Sequence, residues 1–344
     1  MHQSLGMNST QFMNEQSFGL ARKTAALLEV IGIFIVGSAA ASYFEPRIGI
    51  KPLGTLLQSA LNTTEPDFVG FSVGWLEIIC VQYVCLLLPA FAIGWWRRRL
   101  NLRHYGITKA GNSIGTLVIL GLVAFALVAL PVKLLWVARH FFSLGQGSPF
   151  WALLDKNWTP SFWLFSAVAS FAVTPVLEEL FFRGYCQTRL EEDFGGVGAI
   201  VIVTLFMTLG HNQYHHLNIL SIATIVTMIP LFFGMGYLYW RTRSLLPSII
   251  LHAAVNFPTK GIYDFLLPVV MIGVLILFCR KWLSMVQDFY QQVIGKDWRK
   301  AAFMASAFAV VMVIGFETWN SVFITLAFLG LVIAIFIEFR EKRT

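Results

Sequence analysis

The sequence predicts an all-α polytopic membrane protein, a helical bundle of about eight to ten transmembrane spans. Three observations carry the fold class. The 344 residues are 57% hydrophobic and 12% charged, against roughly 25% charged in a soluble domain. Mean hydropathy is +0.70. Apolar stretches long enough to span a bilayer recur along the chain, and none shows the two-residue alternation of a barrel strand.

The stretches fall into three regions. Residues 1–160 hold a polar N-terminal segment and stretches at 24–44, 70–96 and 113–136. The first follows Arg22 and Lys23 and ends near Ser38-Ala39-Ala40-Ala41, which resembles a signal-peptide cleavage site. The long polar lead and Glu29 inside the stretch favour a retained helix instead. The second ends in Trp95-Trp96-Arg97-Arg98-Arg99, an aromatic anchor with a basic flank. Residues 161–258 hold stretches at 161–190, 196–212 and 218–240 and a shorter one at 245–257. The first of these is longer than a bilayer needs, and Pro175 inside it should kink the helix. Residues 259–344 add stretches at 262–280, 302–317 and 321–338.

The formal charge of +7 suggests nucleic acid until the basic residues are placed along the chain. With the N-terminus in the cytoplasm, 19 of the 25 Lys and Arg fall on the cytoplasmic side and 6 opposite. That bias is topological and predicts cytoplasmic termini, with no nucleic-acid partner. Cys80, Cys85, Cys186 and Cys279 show no C-x-x-C spacing and lie in or beside apolar runs. They read as small core hydrophobes. There is no solenoid repeat or low-complexity tract.

Chemistry concentrates in 161–258. Glu178 and Glu179 are adjacent in an apolar helix, and ionisable groups are rare and functional there. Glu179 and Arg183 are four apart and can bridge along one face, which leaves Glu178 as the free carboxylate. A carboxylate in apolar surroundings beside a like charge suits acid–base work. Taking Phe194 as the turn of a hairpin, Glu178 lies 16 residues before it and His211 17 after it. Both are then about 25 Å along their helices and at one depth. His252 and Asn256 share a face of the short helix after Pro247, and both can donate hydrogen bonds to one oxyanion.

These residues resemble the CAAX protease and bacteriocin-processing (Abi) family of intramembrane glutamate proteases. Glu178-Glu179-Leu180-Phe181-Phe182-Arg183 matches its Glu-Glu-x-x-x-Arg motif, continued by Gly184-Tyr185, and His252-Ala253-Ala254-Val255-Asn256 matches His-x-x-x-Asn. The run from Gly234 to Ser248 is also similar to the family. The second motif, Phe-x-x-x-His, reads Met207-Thr208-Leu209-Gly210-His211, with Phe206 one place early. The resemblance covers about residues 160–260. It implies a metal-independent endopeptidase without cofactor. Glu178, helped by His211, would activate water, His252 and Asn256 would hold the oxyanion, and Glu179 and Arg183 would brace the helix. The substrate implied is a membrane-associated or lipidated peptide or protein. The residues around the motifs are closer to the prokaryotic branch, which implies a plasma-membrane location.

Three other readings compete. His211 and His215 have the i,i+4 spacing of a zinc helix, but Asn212 stands where that motif has glutamate. A non-catalytic or immunity-type partner would keep the fold and pocket. A proton-coupled transporter would use Glu29 and Glu77, but no interrupted helix pair recurs in two halves.

Overall fold

The computed structural model describes residues 9–62, 68–97, 105–107, 111–142, 159–211, 219–257, 259 and 261–294. The expected spans at 302–317 and 321–338 lie outside these, as do Arg98, Arg99, His215 and His216. The described residues are helical with no strand: α1 Ser9–Phe44, α2 Leu53–Asn62, α3 Phe68–Trp96, α4 Ile114–Ala138, α5 Pro160–Ala167, α6 Thr174–Glu179, α7 Thr188–Gly210, α8 Ile219–Thr242, α9 Leu246–Asn256, α10 Ile262–Leu277 and α11 Cys279–Phe289. Among them Ala21–Ile48, Phe68–Trp96 and Ile114–Ala138 are each long and apolar enough to cross a membrane. α10 and the helix after it qualify as a pair bent by 82°. The chain is thus an all-α polytopic membrane protein.

The segments carrying the motifs are broken instead of continuous, and the breaks have identifiable causes. Between α5 and α7 the helix widens into π-helical stretches at Val168–Val173 and Leu180–Gln187. Pro175 sits in the first turn of α6, immediately after the first stretch. Proline has no N–H and its ring crowds the preceding turn, so a widened turn replaces the sharp kink expected from sequence. The hairpin turn falls inside α7 at Gly195, which has φ 73° and ψ 169°, a backbone conformation open essentially to glycine.

Outer helices carry apolar residues to their exposed faces, among them Leu28, Ile35, Val84, Leu88 and Ile276. This is the pattern of a lipid-facing surface. Trp95 and Trp96 are also exposed, as an interfacial anchor requires, but Arg97 turns inward. It donates to Glu29 at 3.2 Å and to Glu192 at 3.1 Å. Glu29 also accepts from Arg189 at 2.9 Å and from the Tyr185 hydroxyl at 2.8 Å. Glu29 is therefore a fixed ion-pair acceptor joining α1 to α3 and the motif helix, and Glu77 is exposed. Neither geometry supports a relay. Of the cysteines only Cys186 is buried; Cys80 and Cys279 are exposed. Lying in an apolar stretch of a membrane protein does not make a residue interior, because the outer face is apolar too.

α4 backs α9 closely. A Cβ on Gly121 would lie 2.8 Å from the Pro247 carbonyl oxygen and 2.8 Å from the Ile250 Cβ. Small residues allow such close approach between membrane helices. Gly121→Ala should push α9 away and destabilise the protein by about 1–3 kcal/mol. Gly115→Ala, where the added Cβ has no neighbour within 4 Å, should be neutral. Thermal unfolding of both variants in detergent checks this.

Candidate active site

Glu178 and Glu179 occupy the end of α6, just before the second π-helical stretch. The two side chains diverge, as neighbours on a helix must, and acquire different partners. Glu179 is fully buried. One of its oxygens, Oε1, accepts from Arg183 Nη1 at 3.0 Å and from His252 Nδ1 at 2.8 Å. Arg183 is also fully buried. Its Nη2 donates to the Phe232 carbonyl of α8 at 2.9 Å, and Nη1 also touches the Met207 sulfur of α7. One carboxylate–guanidinium pair therefore ties α6 to α7, α8 and α9.

Glu178 is buried at 9% exposure. Its Oε2 faces His252 Nε2 at 3.6 Å, too long for a direct hydrogen bond. Among the described residues Glu178 Oε2 and Glu179 Oε2 are buried and accept no hydrogen bond. The Tyr83 hydroxyl of α3, itself buried, lies within interaction range of Glu178.

His252 thus stands between the two glutamates. With Nδ1–H donating to the Glu179 carboxylate, the neutral ring presents Nε2 to Glu178 as an acceptor. His211 closes α7. Its Nδ1 donates to the Met207 carbonyl at 2.6 Å, so Nε2 is the acceptor nitrogen of its neutral ring. The imidazole packs on Phe232 with centroids 5.0 Å apart and lies within electrostatic range of Glu178 and His252. Asn256 ends α9 one turn beyond His252 and is half-buried.

The structure therefore joins Glu178, Glu179, Arg183 and His252 by contact, sets His211 beside them, and places Asn256 one turn along α9. Sequence reading missed Tyr83, the Phe232 carbonyl and the contact of Met207 with Arg183. A tyrosine in an apolar span carries no motif, and a backbone carbonyl has no side-chain signature. Among the described residues no group of three His, Cys, Asp or Glu is arranged to hold a metal ion; His215 of the zinc reading lies outside them. Removing one member of a buried ion pair costs about 3–5 kcal/mol, because the other charge stays buried. Arg183→Met should lose stability on that scale, measured as unfolding in mixed micelles. A loss under about 1 kcal/mol would mean that Glu179 is held without Arg183.

Residues 159–258 match the family model described as type II CAAX prenyl endopeptidase Rce1-like. No curated protein and no solved structure matches the chain. The matched segment runs from Thr159, whose side chain caps α5, to the residue after Phe257, and includes every residue of the site except Tyr83. The segment that builds the buried glutamate–histidine cluster is thus similar to the CAAX prenyl endopeptidases, a family of peptidases.

Proposed function

We propose that this protein is an intramembrane endopeptidase of the CAAX-processing kind, which hydrolyses a peptide bond of a membrane-associated or lipidated peptide with water activated by Glu178. The family match supports a peptidase. The observation that carries the finer reading is the division of labour between adjacent carboxylates. Glu179 is occupied by Arg183 and His252, while the buried Glu178 Oε2 faces His252 Nε2 across 3.6 Å.

In this mechanism the water oxygen adds to the scissile carbonyl carbon, and one water proton passes to Glu178. His211, beside Glu178, orients the same water. The proton passes on from Glu178 to His252 Nε2, and the oxyanion that forms is held by Asn256 and by that Nε2–H. Glu179 compensates the charge that His252 then gains. Collapse of the tetrahedral adduct breaks the C–N bond, and the proton is delivered to the leaving amine. No acyl-enzyme forms and no metal is required. Both chain ends lie in the cytoplasm in this reading, which follows the distribution of basic residues.

Purified protein in detergent, presented with quenched lipidated and unlipidated peptides, tests this. Glu178→Gln should lower the hydrolysis rate by at least ~10²-fold, the scale of general-base catalysis. A chelator should leave wild-type hydrolysis unchanged. Loss of hydrolysis with chelator would point to a metal and sink the glutamate mechanism. Full function of Glu178→Gln in cells would point to a non-catalytic partner. Asn256→Ala should lower the rate by about 10²–10³-fold if its amide binds the oxyanion, with little change in KM.

A further inference from the structure

α11 has three faces, and the described protein covers one of them. Trp282, Met285 and Phe289 turn inward. Met285 packs against the main core, and Phe289 packs on Phe233 and Tyr237 of α8 with centroids 5.5 and 5.6 Å apart. Cys279, Leu283, Val286 and Tyr290 are exposed, and their helical spacing puts them on one apolar stripe. Arg280, Ser284 and Gln287 are exposed as well, one residue on from each of the first three, so a polar stripe runs alongside. Asp288 is the only acidic residue of α11, and it is spent on the Tyr237 hydroxyl and on Arg241 of α8. Arg280 and Lys281 make no ion pair with a described residue. The helix is fixed crosswise. It leaves α10 at 82°, Phe278 breaks the helix between them with φ −107° and ψ 30°, and the Trp282 indole N–H donates back to the Leu275 carbonyl at 2.9 Å.

We propose that α11 lies in the plane of the membrane surface and docks on anionic lipid. This goes beyond the endopeptidase reading and does not rest on it. A helix lying on protein in water has no use for an exposed apolar stripe, and a spanning helix has none for an exposed polar stripe beside it. A helix in the interface uses both, with its apolar side among the acyl chains and its polar side at the headgroups. The apolar stripe continues the lipid-facing surface of α10, whose last residues Ile276 and Leu277 are exposed. With Asp288 paired to α8, the charge that remains on α11 is that of Arg280 and Lys281, and Lys296, Arg299 and Lys300 follow in the sequence. All five fall on the side that the distribution of basic residues marks as cytoplasmic. Anionic headgroups complement that charge.

Two measurements on the full chain test this. Spin labels on Leu283→Cys, Val286→Cys and Tyr290→Cys, introduced singly with Cys80, Cys85 and Cys279 replaced by serine, report depth in lipid nanodiscs from their access to oxygen and to an aqueous nickel chelate. All three should lie at one depth, about 5–10 Å into the headgroup–acyl boundary, while a label on Gln287→Cys should meet the aqueous reagent. A second leg of a broken span would instead change depth by about 10 Å from residue 283 to 290, at about 1.5 Å per residue, and that result would overturn the proposal. Fluorescent phosphatidylglycerol and phosphatidylcholine are then titrated onto the protein in neutral detergent. Arg280→Gln/Lys281→Gln should lose at least about fivefold of the wild-type preference for phosphatidylglycerol, the scale of one basic residue at an anionic surface. Arg280→Lys/Lys281→Arg should keep it. No preference in the wild type, or one unchanged in the glutamine variant, would overturn the anionic-lipid assignment. Competition by soluble glycerophosphate would mean a phosphate site instead of a lipid surface and would overturn it too.

Discussion

The Glu179 carboxylate is the constraint on which the rest of the site depends. A charge with no solvent exposure persists only if its partners are fixed, and here one oxygen receives both Arg183 and His252. Arg183 is anchored in turn by the Phe232 carbonyl. Four helices are thereby held at one point: α6, α7, α8 and α9. The rotation of α6 that aims Glu179 at this network is the same rotation that leaves Glu178 facing His252 Nε2. The paired carboxylate and the neighbour left facing Nε2 are two consequences of a single helix orientation.

The surrounding helices are attached by a second principle. Apolar surface does not drive association between helices in lipid, so close packing and polar contacts must do so. Where α1 passes the end of α3 this is the network of Glu29, Arg97, Arg189, Glu192 and Tyr185. Arg22 and Arg189 both pair with Asp193, next to the turn. At α4 it is a backbone approach: Gly121 lets α9 come close at one end, and Lys133 reaches the last turn of α9 at the other. α9 carries His252 and Asn256, so both contacts bear on where those side chains sit.

The π-helical stretches around α6 belong to the same logic. A π turn leaves backbone groups of a helix out of their usual register and is found often at functional sites. Here one such stretch precedes Pro175 and the other follows Glu179. The two glutamates therefore sit on a short α-helical block whose rotation is independent of the longer helix on either side. A regular helix through 160–194 would have to keep the phase set by its ends.

What the sequence by itself determined is whatever depends on composition and on local spacing. Hydropathy specified an all-α membrane chain, because lipid admits little else. The four-residue spacing of Glu179 and Arg183 specified their bridge, because that spacing closes one helical turn. The glycines after Phe194 specified the hairpin turn, and Gly195 takes a φ of 73° there. Tertiary structure decided everything that passes between helices. Nothing in the spacing of His252 says that its two nitrogens address different glutamates. Nothing in an apolar span says that Tyr83 approaches Glu178, that the Phe232 carbonyl holds Arg183, or that Lys133 finds Val255 122 residues away. Such contacts depend on how helices cross and rotate against one another, and that is set by the packing of all their faces at once, which no local pattern encodes.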